Sequence, residues 1–242
     1  MLKNAGPLAD ASVKKIRFVV FAQGRTGSTL LASLLSSHSE IQCDGEILAE
    51  RVPHPLGHIE SHQDASEKPV YGFKVKIYQL SETQKLVPAE FLRNMVKVGT
   101  KIIFLSRRNL LRHALSNYVA RANRYHFRIG ERVNVKPVHF EPAELLEVMN
   151  RRAEHRRKEE AAVVNLDVHR MVYEDDLIDP VAQQRSLNDC FRFIGVPPQP
   201  VFTDLIRGVT GLLSSYFSNY SEVAAALKNT QYEHFLSDPA YR

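Results

Sequence analysis

The chain has 242 residues, 44% of them hydrophobic and 24% charged, which excludes a core-poor disordered segment and allows one α/β domain with a proper core. Its formal net charge of +5 is too small and dispersed to mark a nucleic-acid binder, yet it suits a polyanionic small ligand such as a nucleotide. The two cysteines, Cys43 and Cys190, stand far apart, which excludes a disulfide framework and a zinc-ligand spacing.

Residues 1–14 read as a flexible lead-in without an apolar signal core, and Phe18–Ala22 is too short to cross a membrane. A cytoplasmic chain with no stable membrane insertion is expected. Ile16–Ala22 is a β-branched apolar run that predicts a strand, and Leu30, Leu31, Leu34 and Leu35 share one side of a helix over about Ser28–His38. Between them lies the polar loop Gln23–Thr29. Strand, glycine loop and helix form a phosphate-binding arrangement, because loop amides and the positive helix end face one point. Gly24 and Gly27 let the backbone approach an anion, Arg25 supplies a planar fork of donors, and Ser28 and Thr29 add hydroxyls at the helix start. Thr26 would add its amide. The loop lacks the Lys of a GxxxxGK motif. The competing reading is an ordinary surface turn.

Asp44-Gly45 signals a turn, and Glu46 follows it near the carboxyl edge of the predicted sheet, as a candidate base or as a solvated carboxylate. Pro53, Pro55, Gly57 and Pro69 predict a loop over 51–69, of acceptor-binding or lid type, rather than a helix, so the four-residue spacing of His54, His58 and His62 is not read as a metal site. Val70–Tyr78 predicts a strand with Lys74 and Lys76 on one side. Glu82–Val98 predicts an amphipathic helix burying Phe91, Leu92, Met95 and Val96, and Gly99 stops it.

Ile102–Leu105 reads as a buried parallel strand, followed by Arg107, Arg108 and a helix carrying Ser116. An arginine at a strand end and a serine about two turns into the next helix can share one phosphate. Beyond it, Tyr125, His126 and Phe127 are candidates for a pocket wall, and 128–141 for a second loop on the same side. Pro142–Asn165 predicts a long helix with a solvated, ion-paired face. Val168–Tyr173 predicts a short strand. Asp175 and Asp176 then serve as a metal pair or, preferably, as a cap for a helix over Pro180–Ile194.

The RTGST run at Arg25–Thr29 resembles the 5′-phosphosulfate loop of sulfotransferases that use 3′-phosphoadenosine 5′-phosphosulfate (PAPS). The Arg107, Arg108 and Ser116 segment resembles their 3′-phosphate site, with the choice between the two arginines open and Arg108 favoured by analogy. Gly45-Glu46 is similar to a Gly-Glu pair of compact bacterial members, in which the Glu activates the acceptor hydroxyl. Lys74 and Lys76 stand where cytosolic members carry a Lys and a catalytic His. Asn219-Tyr220 and the Thr230 to Leu236 run resemble bacterial tails, and Arg207 lies where that family completes the cofactor site.

The resemblance implies a P-loop-like α/β fold over 1–242, with a central, mainly parallel sheet flanked by helices. It implies sulfuryl transfer from PAPS to a hydroxyl of a carbohydrate, lipid or small molecule, with 3′-phosphoadenosine 5′-phosphate (PAP) as product and no metal. Arg25, Glu46, Lys74 and Lys76 would be catalytic, and Gly24–Thr29, Arg107, Arg108, Ser116 and Arg207 would bind the donor. A nucleotide kinase or hydrolase, and a non-catalytic nucleotide-binding protein, are the alternatives.

Overall fold

The computed structural model describes residues 15–122, 127–129 and 135–241. The lead-in read over 1–14, Tyr125, His126 and residues 130–134 of the second loop lie outside the described residues, as does the side chain of Phe127.

Five strands, β1 (Ile16–Ala22), β2 (Ile41–Cys43), β3 (Val70–Val75), β4 (Lys101–Ser106) and β6 (Val168–Val172), form a sheet in the order β2-β3-β1-β4-β6. Every pairing in it is parallel. The expected central parallel sheet flanked by helices is what the chain forms. A separate two-residue pairing joins β5 (Phe127–Arg128) to β7 (Leu205–Ile206), antiparallel.

The apolar strand runs are buried on both faces, with period-two alternation deciding which face each side chain serves. Phe18, Val20, Ile103 and Leu105 pack against α1 (Ser28–Ser36) and α7 (Pro180–Ile194). Val19, Phe21, Phe73 and Phe104 pack on the other side against α3 (Pro88–Lys97) and the end of α5 (Pro142–Val163). A third cluster joins α4 (Leu110–Ala122), α5 and α8 (Tyr220–Leu227). Gly72 is required where it stands, because Phe18 is its register partner and an added Cβ would lie 2.1 Å from the Phe18 ring.

Several expectations are corrected. Residues 51–69 are not a loop: α2 (Pro55–Ala65) runs through them, because Pro55 takes the first helical position, where its missing N–H costs nothing. The helix expected over Glu82–Val98 is broken. A π turn, Gln79–Thr83, precedes a restart at Pro88, which again occupies the first turn rather than the interior. Strand β3 ends at Val75, so Lys76 lies beyond it. The cap of α7 is Asp179, which accepts from Val181 N and Ala182 N, whereas Asp176 accepts from Val172 N and Ser186 Oγ.

Because β1 lies between β3 and β4, the chain departs to opposite sides of β1. The crevice beyond the carboxyl ends of these strands is where open parallel sheets bind ligands. The loop 23–27 leaves β1 into that crevice.

Candidate functional site

Two residues of the loop have left-handed backbone, Arg25 (φ 71°) and Gly27 (φ 92°). The turn is closed by Thr26, whose Oγ1 donates to Gln23 O over 2.8 Å. The Thr26 side chain is buried, so it offers a ligand only its amide. Gly27 cannot carry a side chain, since an added Cβ would lie 2.5 Å from Tyr173 Cδ2.

Beneath the loop lie the buried Arg107 and the half-buried Arg152. Arg107, at the end of β4, donates from Nη1 to Arg25 O (3.1 Å) and from Nη2 to Tyr241 Oη (3.1 Å), and its guanidinium stacks 4.5 Å from the Tyr173 ring centroid. Glu174 lies 3.8 Å from its Nε. The Gly24 carbonyl has His113 Nε2 at 2.8 Å and Arg152 Nη1 at 3.2 Å. Burial, then the nearby Arg152 and Arg107, holds His113 well below the usual histidine range and hence neutral. Arg152 itself is pushed down to about 10, mainly by burial. A further buried carboxyl, Glu159, accepts from Gln23 Nε2 over 3.0 Å and is raised to about 8 by burial.

Two clefts open on either side of Arg25. The first encloses about 800 Å³ between Arg25, the residues Gly27–Leu30, Arg107, Ser116, Tyr173 and the segment Leu205–Val209, which includes Arg207. Across it Arg25 Nη2 donates to Ser116 Oγ over 3.4 Å. Seven of the residues read as anion-binding therefore share one cavity: Gly27, Ser28 and Thr29 of the loop and helix start, and with them Arg25, Arg107, Ser116 and Arg207. Arg108 does not belong to it. Its side chain is half exposed and pairs with Asp175, so Arg107 rather than Arg108 reaches the cleft.

The second cleft encloses about 870 Å³ between Gly24, Arg25, Lys76, Tyr78, and residues of α4 and α5. Glu46 lines neither cleft. Its carboxylate lies 2.5 Å from Lys76 Nζ and accepts from Gln79 Nε2 over 2.9 Å, so Lys76 links it to the second cleft. Burial disfavours the Lys76 ammonium, but Glu46 and Tyr78 outweigh it and raise its pKa. Lys74 is buried, not solvated, and its Nζ donates to Thr29 Oγ1 over 3.0 Å at the start of α1. Its pKa is lowered, chiefly by burial.

Residues 51–69 line neither cleft. The opposite holds for α5, expected to present a solvated face. Arg152 and Glu159 are turned inward beneath the loop, and Arg151, Arg152 and His155 line the second cleft. The signal for this was weak, because the alternation of charge along α5 hides a buried stripe. Tyr173 and Tyr241 were likewise missed as the rings that hold Arg107. Among the described residues no group of three or more His, Cys, Asp or Glu is arranged to hold a metal, and no helix is long and apolar enough to cross a membrane.

No family model matches this sequence, and no curated protein is similar to it. Among solved structures, it is similar to mouse sulfotransferase SULT7A1 complexed with PAP, at 15% identity and a TM-score of 0.48, over 94% of this chain and 76% of that chain.

Proposed function

We propose that the chain is a PAPS-dependent sulfotransferase that moves a sulfuryl group to an acceptor hydroxyl. The observation that carries this reading is the convergence of Arg25, Arg107, Ser116 and Arg207 on one cleft floored by the loop and the start of α1. A donor with two separate anionic ends needs that many cationic and hydroxyl groups around one cavity, and an ordinary surface turn needs none of them.

In this reading the amides of Thr26–Thr29, with Arg25 and Lys74, hold the 5′ end of the donor, and Ser116, Arg107 and Arg207 hold the 3′-phosphate. The donor supplies an SO₃ group on a phosphate leaving group. Arg25 stands where the two clefts meet, so one guanidinium faces both the leaving phosphate and the incoming alcohol. The acceptor oxygen forms a bond to sulfur, the bond from sulfur to the bridging phosphate oxygen breaks, and Glu46 takes the hydroxyl proton. Lys76 lines the second cleft and pairs with Glu46, so the proton passes from the acceptor hydroxyl to Lys76 as Lys76 gives its own to Glu46.

The test is thermal unfolding with PAP against AMP and ATP. Saturating PAP at about a hundred times its dissociation constant adds roughly 2.7 kcal/mol of apparent stability. AMP should give far less, because it offers no 3′-phosphate. An equal response to AMP overturns the assignment of Arg107, Ser116 and Arg207. Turnover abolished by EDTA would point instead to a magnesium-dependent kinase.

A further inference from the structure

The second cleft has a charge pattern that the transfer reaction does not require. Among the described residues, five cations line it: Arg25, Lys76, Arg121, Arg151 and Arg152. Among the described residues, no carboxylate lines it. Glu46 meets it at Lys76, at 2.5 Å, Glu147 meets it at Arg151, at 3.7 Å, and Glu82 bears electrostatically on its His155. Glu144 is engaged at the rim by the Tyr118 hydroxyl. A neutral alcohol would gain nothing from so many positive groups, while their mutual repulsion costs stability.

The other feature is shape. Tyr78 and Tyr118 stand among these cations, and the Tyr78 ring lies 5.6 Å from Lys76 Nζ. Aromatic rings beside guanidinium groups suit a ring-shaped ligand whose flat face packs on tyrosine while its anionic substituents meet arginine.

We infer that the acceptor is itself anionic: a hydroxylated ring compound, of acidic-sugar type, that carries carboxylate or sulfate groups and binds in the second cleft between Tyr78, Tyr118 and the arginines of α4 and α5. This rests on the sulfotransferase reading for the name acceptor, but the cleft's preference for anions can be measured without it. Arg121 and Arg151 become specificity-determining residues, since they line this cleft and not the first.

The experiment titrates the full chain, with and without saturating PAP, with a uronic-acid oligosaccharide and with a neutral oligosaccharide of equal length. The acidic ligand should bind at least tenfold more tightly, and its affinity should fall as salt rises. The double variant Arg121→Glu, Arg151→Glu should lose at least tenfold in affinity for the acidic ligand and keep its PAP affinity. Equal binding of the two oligosaccharides, no binding of either, or an unchanged affinity in the double variant each overturns the inference while leaving the donor reading intact. Charge-sensitive binding of the acidic ligand in a chain that fails to bind PAP supports the anion-binding cleft and removes the donor reading.

Discussion

Gly27→Ala tests the loop at its tightest point. The backbone there has φ 92°, and the added methyl would sit 2.5 Å from Tyr173 Cδ2 and 2.8 Å from Cε2. The left-handed conformation costs an L-residue about 1–2 kcal/mol, and overpacking against a buried ring adds about 1–3 kcal/mol. A total near 3 kcal/mol corresponds to a fall in Tm of roughly 6–12 °C for a chain of this size. Because Tyr173 both lines the first cleft and stacks on Arg107, the displaced ring should also weaken PAP binding by about tenfold, or 1.4 kcal/mol. A cycle with Tyr173→Leu separates the two costs. In the double variant the steric part, about 1–3 kcal/mol, should vanish as coupling energy, while the backbone part persists. A Gly27→Ala chain with wild-type Tm, or a cycle with no coupling, refutes the contact between loop and ring.

Glu46→Gln keeps the size of the side chain and a partner for Gln79. It should lower kcat by roughly 10²–10⁴ while PAP affinity, read by calorimetry, stays unchanged. For Glu159, burial raises the pKa from 4.5 to about 8. Its contribution to stability is complete below the unfolded value, declines as pH climbs through the window from 4.5 to about 8, and is lost above it. Denaturation of Glu159→Gln at pH 5 and pH 9 should therefore show a smaller decline than wild type, by up to about 4 kcal/mol at 1.36 kcal/mol per pH unit, since the loss has already begun by pH 5; equal declines argue that the carboxyl is ionised throughout. Gly72→Ala places a Cβ 2.1 Å from the Phe18 ring and should lower stability by about 3 kcal/mol in urea unfolding, with the m-value unchanged.

The parallel sheet was legible because β1 and β4 are apolar runs of the right length, buried on both faces, and each ends in a polar turn that starts a helix. The loop and Ser116 were legible for the same reason: each sits at a fixed offset from such a run. What escaped depended on contacts distant in sequence. Arg107 and Arg108 are adjacent, and only the positions of Tyr241 and Glu174, far along the chain, turn one inward and leave the other with Asp175. The prolines misled because a proline that breaks a helix and one that opens it have the same letter. At Pro55 and Pro88 the residues that follow settle the matter. The buried side of α5 was hidden because Glu159 finds its partner in Gln23, far away in sequence, rather than in a cation spaced along the helix. Gln23 Nε2 donates to Arg152 O over 3.2 Å and to Glu159 Oε2 over 3.0 Å.

Arg25 occupies a backbone position that glycine would adopt more readily, with φ 71°. Such a conformation persists in a non-glycine residue only when its surroundings hold it. Here Arg107 Nη1 binds the Arg25 carbonyl, and Tyr241, Tyr173 and Glu174 fix Arg107 in turn. The strain places a guanidinium at the junction of two clefts, which no relaxed residue at that point of the turn would do. The two truncations should therefore diverge. Arg25→Ala loses the charge and keeps the strain, while Arg25→Gly loses both, so the glycine variant should be more stable by about 1 kcal/mol. Both should lose PAP affinity to the same degree, at least tenfold, if the guanidinium and not the backbone shape is what the donor meets. A glycine variant that retains PAP affinity would show that the loop amides alone bind the 5′ end, and would remove Arg25 from the transfer step.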